Sequence, residues 1–450
     1  MSIDKEKSVQ LEMNTPRSYI LTLLFLFVAL FQLHAQENPI QTGERDLAQT
    51  MLADVQRDLT DNYYDPKFHD MDVKGRFKEA DDRIKKATSL NQALGTIAWA
   101  LEGLHDSHTF FLPPPRPFRL FYGWTMQMIG EKCYVTDVEP RSDAEKKGVK
   151  QGDEIERINR IAPTRDNLWS LNYLLRTLRP QPGFELVLRG VNGEERTIGV
   201  AAKIEQTRHV TDYGSADYWN EVRESQSARA LSRRRSQAVG PDLIIWKFPS
   251  FMLNEQGVDE MIGDSKNYKV MVLDLRGNSG GSILALLRLV GGLFENDVKV
   301  GEVRMRKKAD TKYAKSRGDK LFVGRLIVLV DGESASASEI FAREVQLEKR
   351  GIIIGDRTAG KVMEARVYPH QLGIDRVVNY ASYISVADWI MPDGKSLENT
   401  GVIPDEEMVP TGLDLVNRRD PVLAHAVSLG GGQLSAEDAY NLFPHEWLNH

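Results

Sequence analysis

Twice in its second half the chain runs from an unbroken apolar segment through a turn of small residues into a helix. The first instance is Val270-Met271-Val272-Leu273-Asp274-Leu275, followed by Arg276-Gly277-Asn278-Ser279-Gly280-Gly281 and a helix from Ile283. The second is Leu326-Ile327-Val328-Leu329-Val330, followed by Asp331-Gly332-Glu333, then Ser334-Ala335-Ser336-Ala337-Ser338-Glu339 and a helix through Phe341 and Val345. Apolar runs without alternation are strands covered on both faces, and a helix directly behind each one is the crossover of a parallel sheet. An α/β core is therefore expected. At such junctions the free amides of the turn and of the helix N-terminus favour negative charge. No Gly-Lys-Ser/Thr follows the glycines, and their spacing does not fit a dinucleotide fingerprint, so phosphate binding is excluded. Stabilising a developing oxyanion is the better use for amides of Gly280, Gly281 and Ala337. By spacing alone, the serines could equally cap a helix, since Ser336 and Glu339 stand as a capping box does.

Composition narrows the function further. The 450 residues carry 58 basic and 64 acidic side chains, a net charge of −6 that argues against nucleic-acid binding by bulk charge. The basic run Arg233-Arg234-Arg235 has no interleaved aromatics and reads as solvated surface. The single cysteine, Cys133, excludes an intrachain disulfide and a cysteine-ligated metal centre, and it reads as a small buried hydrophobe on a strand. His34, His69, His209, His370 and His425 show no metal-ligand spacing, so neither metal nor organic cofactor is expected.

Five units follow in chain order. Residues 1–35 have a basic start, an apolar run from Tyr19 to Phe31 too short to span a bilayer, and Ala35 before Gln36. That is the pattern of a secretory signal cut after Ala35, and it implies an exported, periplasmic or secreted protein without an integral membrane domain. Residues 36–117 are read as a helical segment contributing to the core, with Leu52, Val55 and Leu59, and again Ile97, Leu101 and Leu104, at helical spacing. Residues 118–205 alternate in short strands punctuated by Gly148, Gly152 and Gly190. Residues 206–240 read as a polar linker before a catalytic domain over 241–450.

The β-rich unit resembles a PDZ domain of the bacterial, protease-associated type. It carries the loop Tyr122-Gly123-Trp124, and Pro140 to Ile155 follows the family's core pattern around Gly148, Gly152 and Asp153. The resemblance implies that peptides with free C-termini add as a strand to an open sheet edge, with Tyr122, Gly123 and Trp124 cradling the carboxylate.

Across nearly the whole mature chain, five ordered motifs resemble the tail-specific (carboxy-terminal processing) and tricorn-core serine peptidases, the S41 family. They are Leu104 to Thr109, Leu273 to Gly281, Ser334 to Glu339, Gly355 to Lys361 and Glu398 to Asp405. The resemblance implies a ClpP/crotonase-like α/β peptidase core, an acyl-enzyme mechanism and Ser336 as nucleophile. Its two branches offer two bases. In one it is a buried lysine, which Lys361 matches at the family's spacing, although Ala365 stands where that branch usually has glutamine and Glu364 is adjacent. In the other it is a histidine preceded by serine with a late glutamate, which Ser107, His108 and Glu398 match. Histidine titrates near neutrality and needs less tuning, which favours His108. A catalytically inactive S41-like binding or scaffold protein is the alternative reading.

Overall fold

Side chains along the core strands alternate between two apolar layers. Ile244 and Trp246, Met271 and Leu273, Leu326, Val328 and Val330, and Ile353 face one layer. Their neighbours Leu243 and Ile245, Val270 and Val272, Ile327 and Leu329, and Ile354 face the other. This period of two explains why the sequence runs show no polar alternation: both faces are covered. The computed structural model describes residues 39–206, 235–373 and 377–443. The expected leader, residues 1–35, lies outside them, as do Arg233 and Arg234.

The core sheet has the order β18-β15-β14-β11-β10-β9, with β9 Arg235–Val239, β10 Leu243–Lys247, β11 Val270–Asp274, β14 Arg325–Val330, β15 Gly351–Gly355 and β18 Glu406–Glu407. All pairings are parallel except β9 with β10. Helices Glu255–Ser265, Ile283–Gly291 and Ala337–Leu347 cover the first layer, and Pro421–Leu429 with Ala436–Leu442 cover the second. Strand β9 corrects the expected linker, whose last residues join the sheet. It is a polar edge strand held by main-chain bonds to β10, so it carries no apolar alternation for a sequence reading to detect.

A second, antiparallel sheet contains β1 (Phe110–Leu112), β12 (Val298–Met305), β13 (Ala309–Ala314), β16 (Glu364–Leu372) and the long β17 (Val378–Ile390). Pairing of Phe110 with Tyr383 ties the His108 loop to β17. Helices Thr42–Asn62, Val73–Lys85 and Leu90–Glu102 share one core with Phe111, Tyr380 and Ile384, so the helical segment is built onto this sheet.

The β-rich unit is a five-stranded antiparallel sheet of β3 (Trp124–Ile129), β4 (Lys132–Val138), β5 (Glu154–Ile158), β6 (Gly183–Arg189) and β7 (Glu195–Ala201), beside a ribbon of β2 (Phe118–Phe121) with β8 (Lys203–Gln206). Its helix begins at Leu168–Asn172 and continues as a wider-turned segment through Leu178. Cys133 is buried on β4, and burial pushes its thiol up to about 12. The unit meets the core through Arg165 with Asp356 (2.5 Å) and Gln127 with Asp331 (2.7 Å). Among the described residues no helix is long and apolar enough to cross a membrane.

Candidate active site

The two strand-to-helix turns lie side by side at the C-terminal ends of β11 and β14, where open α/β sheets hold their ligands. Asn278, fully buried, knits them together. Its Nδ2 donates to Phe248 O (2.6 Å), its Oδ1 accepts from Gly280 N (2.9 Å), and its carbonyl accepts from Ala335 N and Ser338 Oγ (both 2.9 Å). Asp331 adds a second tie by accepting from Gly277 N (2.9 Å) and Ser334 N (3.0 Å).

The three serines of the second turn separate cleanly. Ser334 Oγ donates to Leu275 O, and Ser338 Oγ to Asn278 O, each at 2.9 Å, and both residues are fully buried. They hold the turn closed. Ser336 instead lines a cleft of about 490 Å³ together with His108, Gly280, Gly281, Ala337 and Tyr383. Its backbone sits at φ 55° and ψ −118°, a strained position for a residue with a Cβ. Sharp strand-to-helix turns expose a nucleophile in this way.

The strain is held by Glu339. This fully buried carboxylate accepts from Ser336 N (3.0 Å), Thr358 Oγ1 (2.6 Å), Gly360 N (2.7 Å) and Lys361 N (2.8 Å). Burial raises its pKa while these donors oppose the rise. The spacing that suggested a capping box is thus real on its carboxylate side, and it fixes the Ser336 turn. The sequence reading assigned Glu339 no such role.

His108 reaches the cleft from the loop before β1. Its Nδ1 lies 2.7 Å from Ser107 Oγ, and Ser107 N donates to Glu398 Oε1 (2.9 Å), whose Oε2 accepts from Val362 N (3.0 Å). Ser107 thus touches both groups, His108 through its hydroxyl and Glu398 through its amide. Tyr383 stacks beside the imidazole at 6.4 Å between ring centres. Asp106, which sequence reasoning passed over, accepts from His108 N (2.8 Å), Tyr63 Oη (2.9 Å) and Ser385 Oγ (2.7 Å). Burial pushes the imidazole down to about 4, the Asp106 charge working against that shift and Lys361 with it. Burial likewise raises the Glu398 carboxyl to about 7, against its bonds to Ser107 and Val362.

Lys361 enters the site by its main chain. Its carbonyl accepts from Ser336 N (2.9 Å) and its amide donates to Glu339, whereas its ammonium lies 5.8 Å from the ring centre of Trp169, and it does not line the cleft. Burial lowers its pKa; Glu339, Glu398 and Glu333 oppose this, and these rather than the adjacent Glu364 are the charges acting on it.

Of the three expected oxyanion donors, Gly280 is corrected: its amide is committed to Asn278 Oδ1. The amides of Ala337 and Gly281 donate to no other group among the described residues. Gly280 instead gives room, because a Cβ there would lie 2.7 Å from Ser336 Cβ.

In the β-rich unit, Tyr122 and Trp124 are only 5% and 2% exposed, and the Tyr122 ring stacks on Phe184 at 4.4 Å. The Arg176 guanidinium lies 4.9 Å from the Tyr122 ring centre and 5.6 Å from that of Trp124. Gly123 has φ 70° and packs against Ser142, where a Cβ would come within 2.4 Å, so glycine is required at this turn. Among the described residues no cluster of histidine, cysteine and carboxylate side chains could hold a metal.

The chain is similar to several known proteins. The tail-specific protease of Haemophilus influenzae is 26% identical over 322 residues, covering 67% of this chain and 43% of that protein. The carboxy-terminal-processing protease of Bartonella bacilliformis is 36% identical over 138 residues, 30% of each chain. The chain thus spans less than half the length of either relative. The structure of mature CPAF complexed with lactacystin shares the fold at a TM-score of 0.65 and 14% identity, over 86% of this chain and 98% of that one. The family model for peptidase family S41 matches residues 244–408. The stretch of the chain that holds both glycine turns, Ser336 and Glu398 is therefore the part similar to peptidase family S41.

Proposed function

We propose that this protein is an exported serine endopeptidase that cleaves polypeptides through an acyl-enzyme on Ser336, with His108 as general base. The contact of His108 Nδ1 with Ser107 Oγ, on a residue whose amide is anchored to Glu398, carries the reading. A hydroxyl has one proton to give. Turned away from the ring, that proton leaves Ser107 Oγ to accept from Nδ1–H, so Nε2 holds the free lone pair. Burial keeps the imidazole neutral, as a base must be.

Nε2 takes the Ser336 Oγ proton as Oγ bonds to the peptide carbonyl carbon. The amides of Ala337 and Gly281 receive the charge on the carbonyl oxygen; one such donor is worth ~100- to 1000-fold in turnover. The carbon–nitrogen bond then breaks as Nε2 returns the proton to the leaving amine. Water attacks the ester, giving a proton to Nε2, and Ser336 regains its own as the acid departs. The apolar lining from Met252, Ile283, Ile340 and Trp389 suits an apolar substrate side chain beside the scissile bond.

The β-rich unit is read as a PDZ domain that takes substrate C-termini. Its five-stranded antiparallel sheet, the helix beside it and the Tyr122-Gly123-Trp124 turn support that role. Free-acid peptides should bind the full chain more tightly than amidated ones; equal binding removes this function. Export rests on the leader-like residues 1–35, and a mature N-terminus at Gln36 is the expected product.

The test of the base is paired substitution, read as hydrolysis of a quenched peptide. His108→Ala should lose several orders of magnitude, because a serine hydroxyl without a base is a poor nucleophile. Lys361→Ala should cost little, since only its main chain touches the nucleophile turn. A dead Lys361→Ala beside an active His108→Ala would reverse the assignment. An inactive scaffold would show no hydrolysis in the unaltered protein.

A further inference from the structure

A second cavity, of about 530 Å³, opens at the seam between the helical segment and the β-rich unit. Its charged lining consists of Arg83, Lys86 and Arg179, with no carboxylate among the lining residues. The cavity thus presents three cations on a chain whose net charge is −6. Lys86 and Arg179 have no acidic partner among the described residues.

Arg83 is held in a fixed pose. Its guanidinium lies 3.8 Å from the Trp99 ring centre and donates to Glu79 Oε1 through Nε (3.1 Å) and Nη2 (2.6 Å). Trp99 is itself fixed by Arg76, 3.4 Å from the ring centre, whose Nη2 donates to Trp99 O (2.7 Å). The cavity therefore has a rigid aromatic wall carrying an oriented cation.

Gly95 lines the cavity beside Arg179. It stands inside helix Leu90–Glu102, where glycine is unfavourable relative to alanine. A Cβ at this position would point at Arg179, 3.9 Å from both Nε and Nη2. Arg179 thus lies against the helix face at Gly95, in the same lining as Arg83 and Lys86.

We infer that this cavity binds a small polyanion carrying two or more phosphate or carboxylate groups. Its volume lies within the usual span of small-molecule sites, about 300–1,000 Å³. Arginine forks suit the planar and tetrahedral oxyanions, and Lys86 adds a point charge. Such a ligand bridges helices Val73–Lys85 and Leu90–Glu102 to the helix that ends at Leu178, and so fastens the two units at their seam. The inference is independent of the peptidase reading.

The test is to titrate the full chain with inorganic pyrophosphate and, separately, with citrate, ionic strength being held constant with sodium chloride. Tryptophan fluorescence reports on Trp99, and the melting temperature reports on bridging of the units. A saturable fluorescence change and a rise in melting temperature are expected from at least one probe. Pyrophosphate alone would assign phosphate chemistry, citrate alone carboxylate chemistry, and both the shared oxyanion chemistry. Lys86→Ala with Arg179→Ala should weaken binding by roughly tenfold or more, since hydrogen bonds to charged groups are the strong ones. Trp99→Phe should lose the fluorescence signal but keep the melting shift. Should the double variant fold poorly, Lys86→Gln on the exposed helix end supplies the same comparison. No saturable response to either probe below about 10 mM, or unchanged affinity in the charge-removed variants, overturns the proposal.

Discussion

Substituting Gly280 by alanine tests how closely the two turns cooperate. At φ 95° the residue occupies backbone space that side chains rarely adopt, and the new Cβ would sit 2.7 Å from Ser336 Cβ, 2.8 Å from Ala335 O and 3.0 Å from Ala337 N. Strain from such a conformation costs ~1–3 kcal/mol, which a folding measurement reads. The contacts cost more, because the neighbours are the backbone of the nucleophile turn and cannot rotate away. Displacing Ala337 N by a few tenths of an ångström removes one proposed oxyanion donor, so kcat should fall ~100- to 1000-fold while KM changes little. Gly394→Ala is the matched control: φ is 82°, and nothing lies within 4 Å of its Cβ. It should lose only the ~1–3 kcal/mol of conformational strain and keep normal turnover. Peptide hydrolysis and denaturant unfolding measured on both variants decide the matter. Near-normal kcat in Gly280→Ala, or an equal loss in Gly394→Ala, would refute the reasoning.

Asp106→Asn keeps an acceptor for the His108 amide but removes the charge that favours the imidazolium. Its kcat should fall roughly tenfold, and any acid limb belonging to His108 should move to lower pH; an unchanged pH profile would remove Asp106 from the positioning machinery. Glu344 is fully buried on the helix behind Ser336, both carboxyl oxygens lack partners, and burial raises it to about 8 from 4.5. Because the unfolded chain loses this proton from about pH 4.5 and the folded chain holds it to about 8, stability falls as pH rises through that window. Glu344→Gln should thus match the unaltered protein near pH 4 and exceed it by a few kcal/mol near pH 9, measured as a shift in denaturant midpoint. Ser107→Ala removes the Oγ partner of His108 Nδ1 while keeping the amide bond to Glu398, and should cost roughly 100-fold or more in kcat with an intact fold by circular dichroism, whereas normal turnover would show the hydroxyl contact to be idle.

Much of the site was legible because its signals are local. An apolar run, a glycine turn and a helix start are adjacent in sequence, so the β11 and β14 junctions could be drawn from Val270 to Ile283 and from Leu326 to Glu339 before any fold was known. The choice among Ser334, Ser336 and Ser338 was not local. It depends on which hydroxyls find Leu275 O and Asn278 O, some 60 residues upstream, and only folding brings these together. The ambiguity of Lys361 has the same origin: the sequence states the residue type, while the structure turns its carbonyl and amide, rather than its ammonium, toward the nucleophile turn. Asp106 was masked by its neighbours, because its partners Tyr63 and Ser385 lie 43 and 279 residues away. Strand β9 was missed because an edge strand held by main-chain bonds can be polar on both faces. Gly280 shows the converse error, in which a glycine in the right turn has its amide already committed to Asn278.

The central claim is that Ser336, activated by His108, forms the covalent intermediate. Its most direct measurement is incubation of the full chain with a fluorophosphonate, which leaves phosphorus bonded to an activated serine Oγ as fluoride departs, followed by peptide mapping. The account predicts one labelled residue, Ser336, with labelling slowed by orders of magnitude in His108→Ala and nearly unchanged in Lys361→Ala. An unlabelled Ser336 in the unaltered protein, or labelling that survives His108→Ala and vanishes in Lys361→Ala, would contradict it.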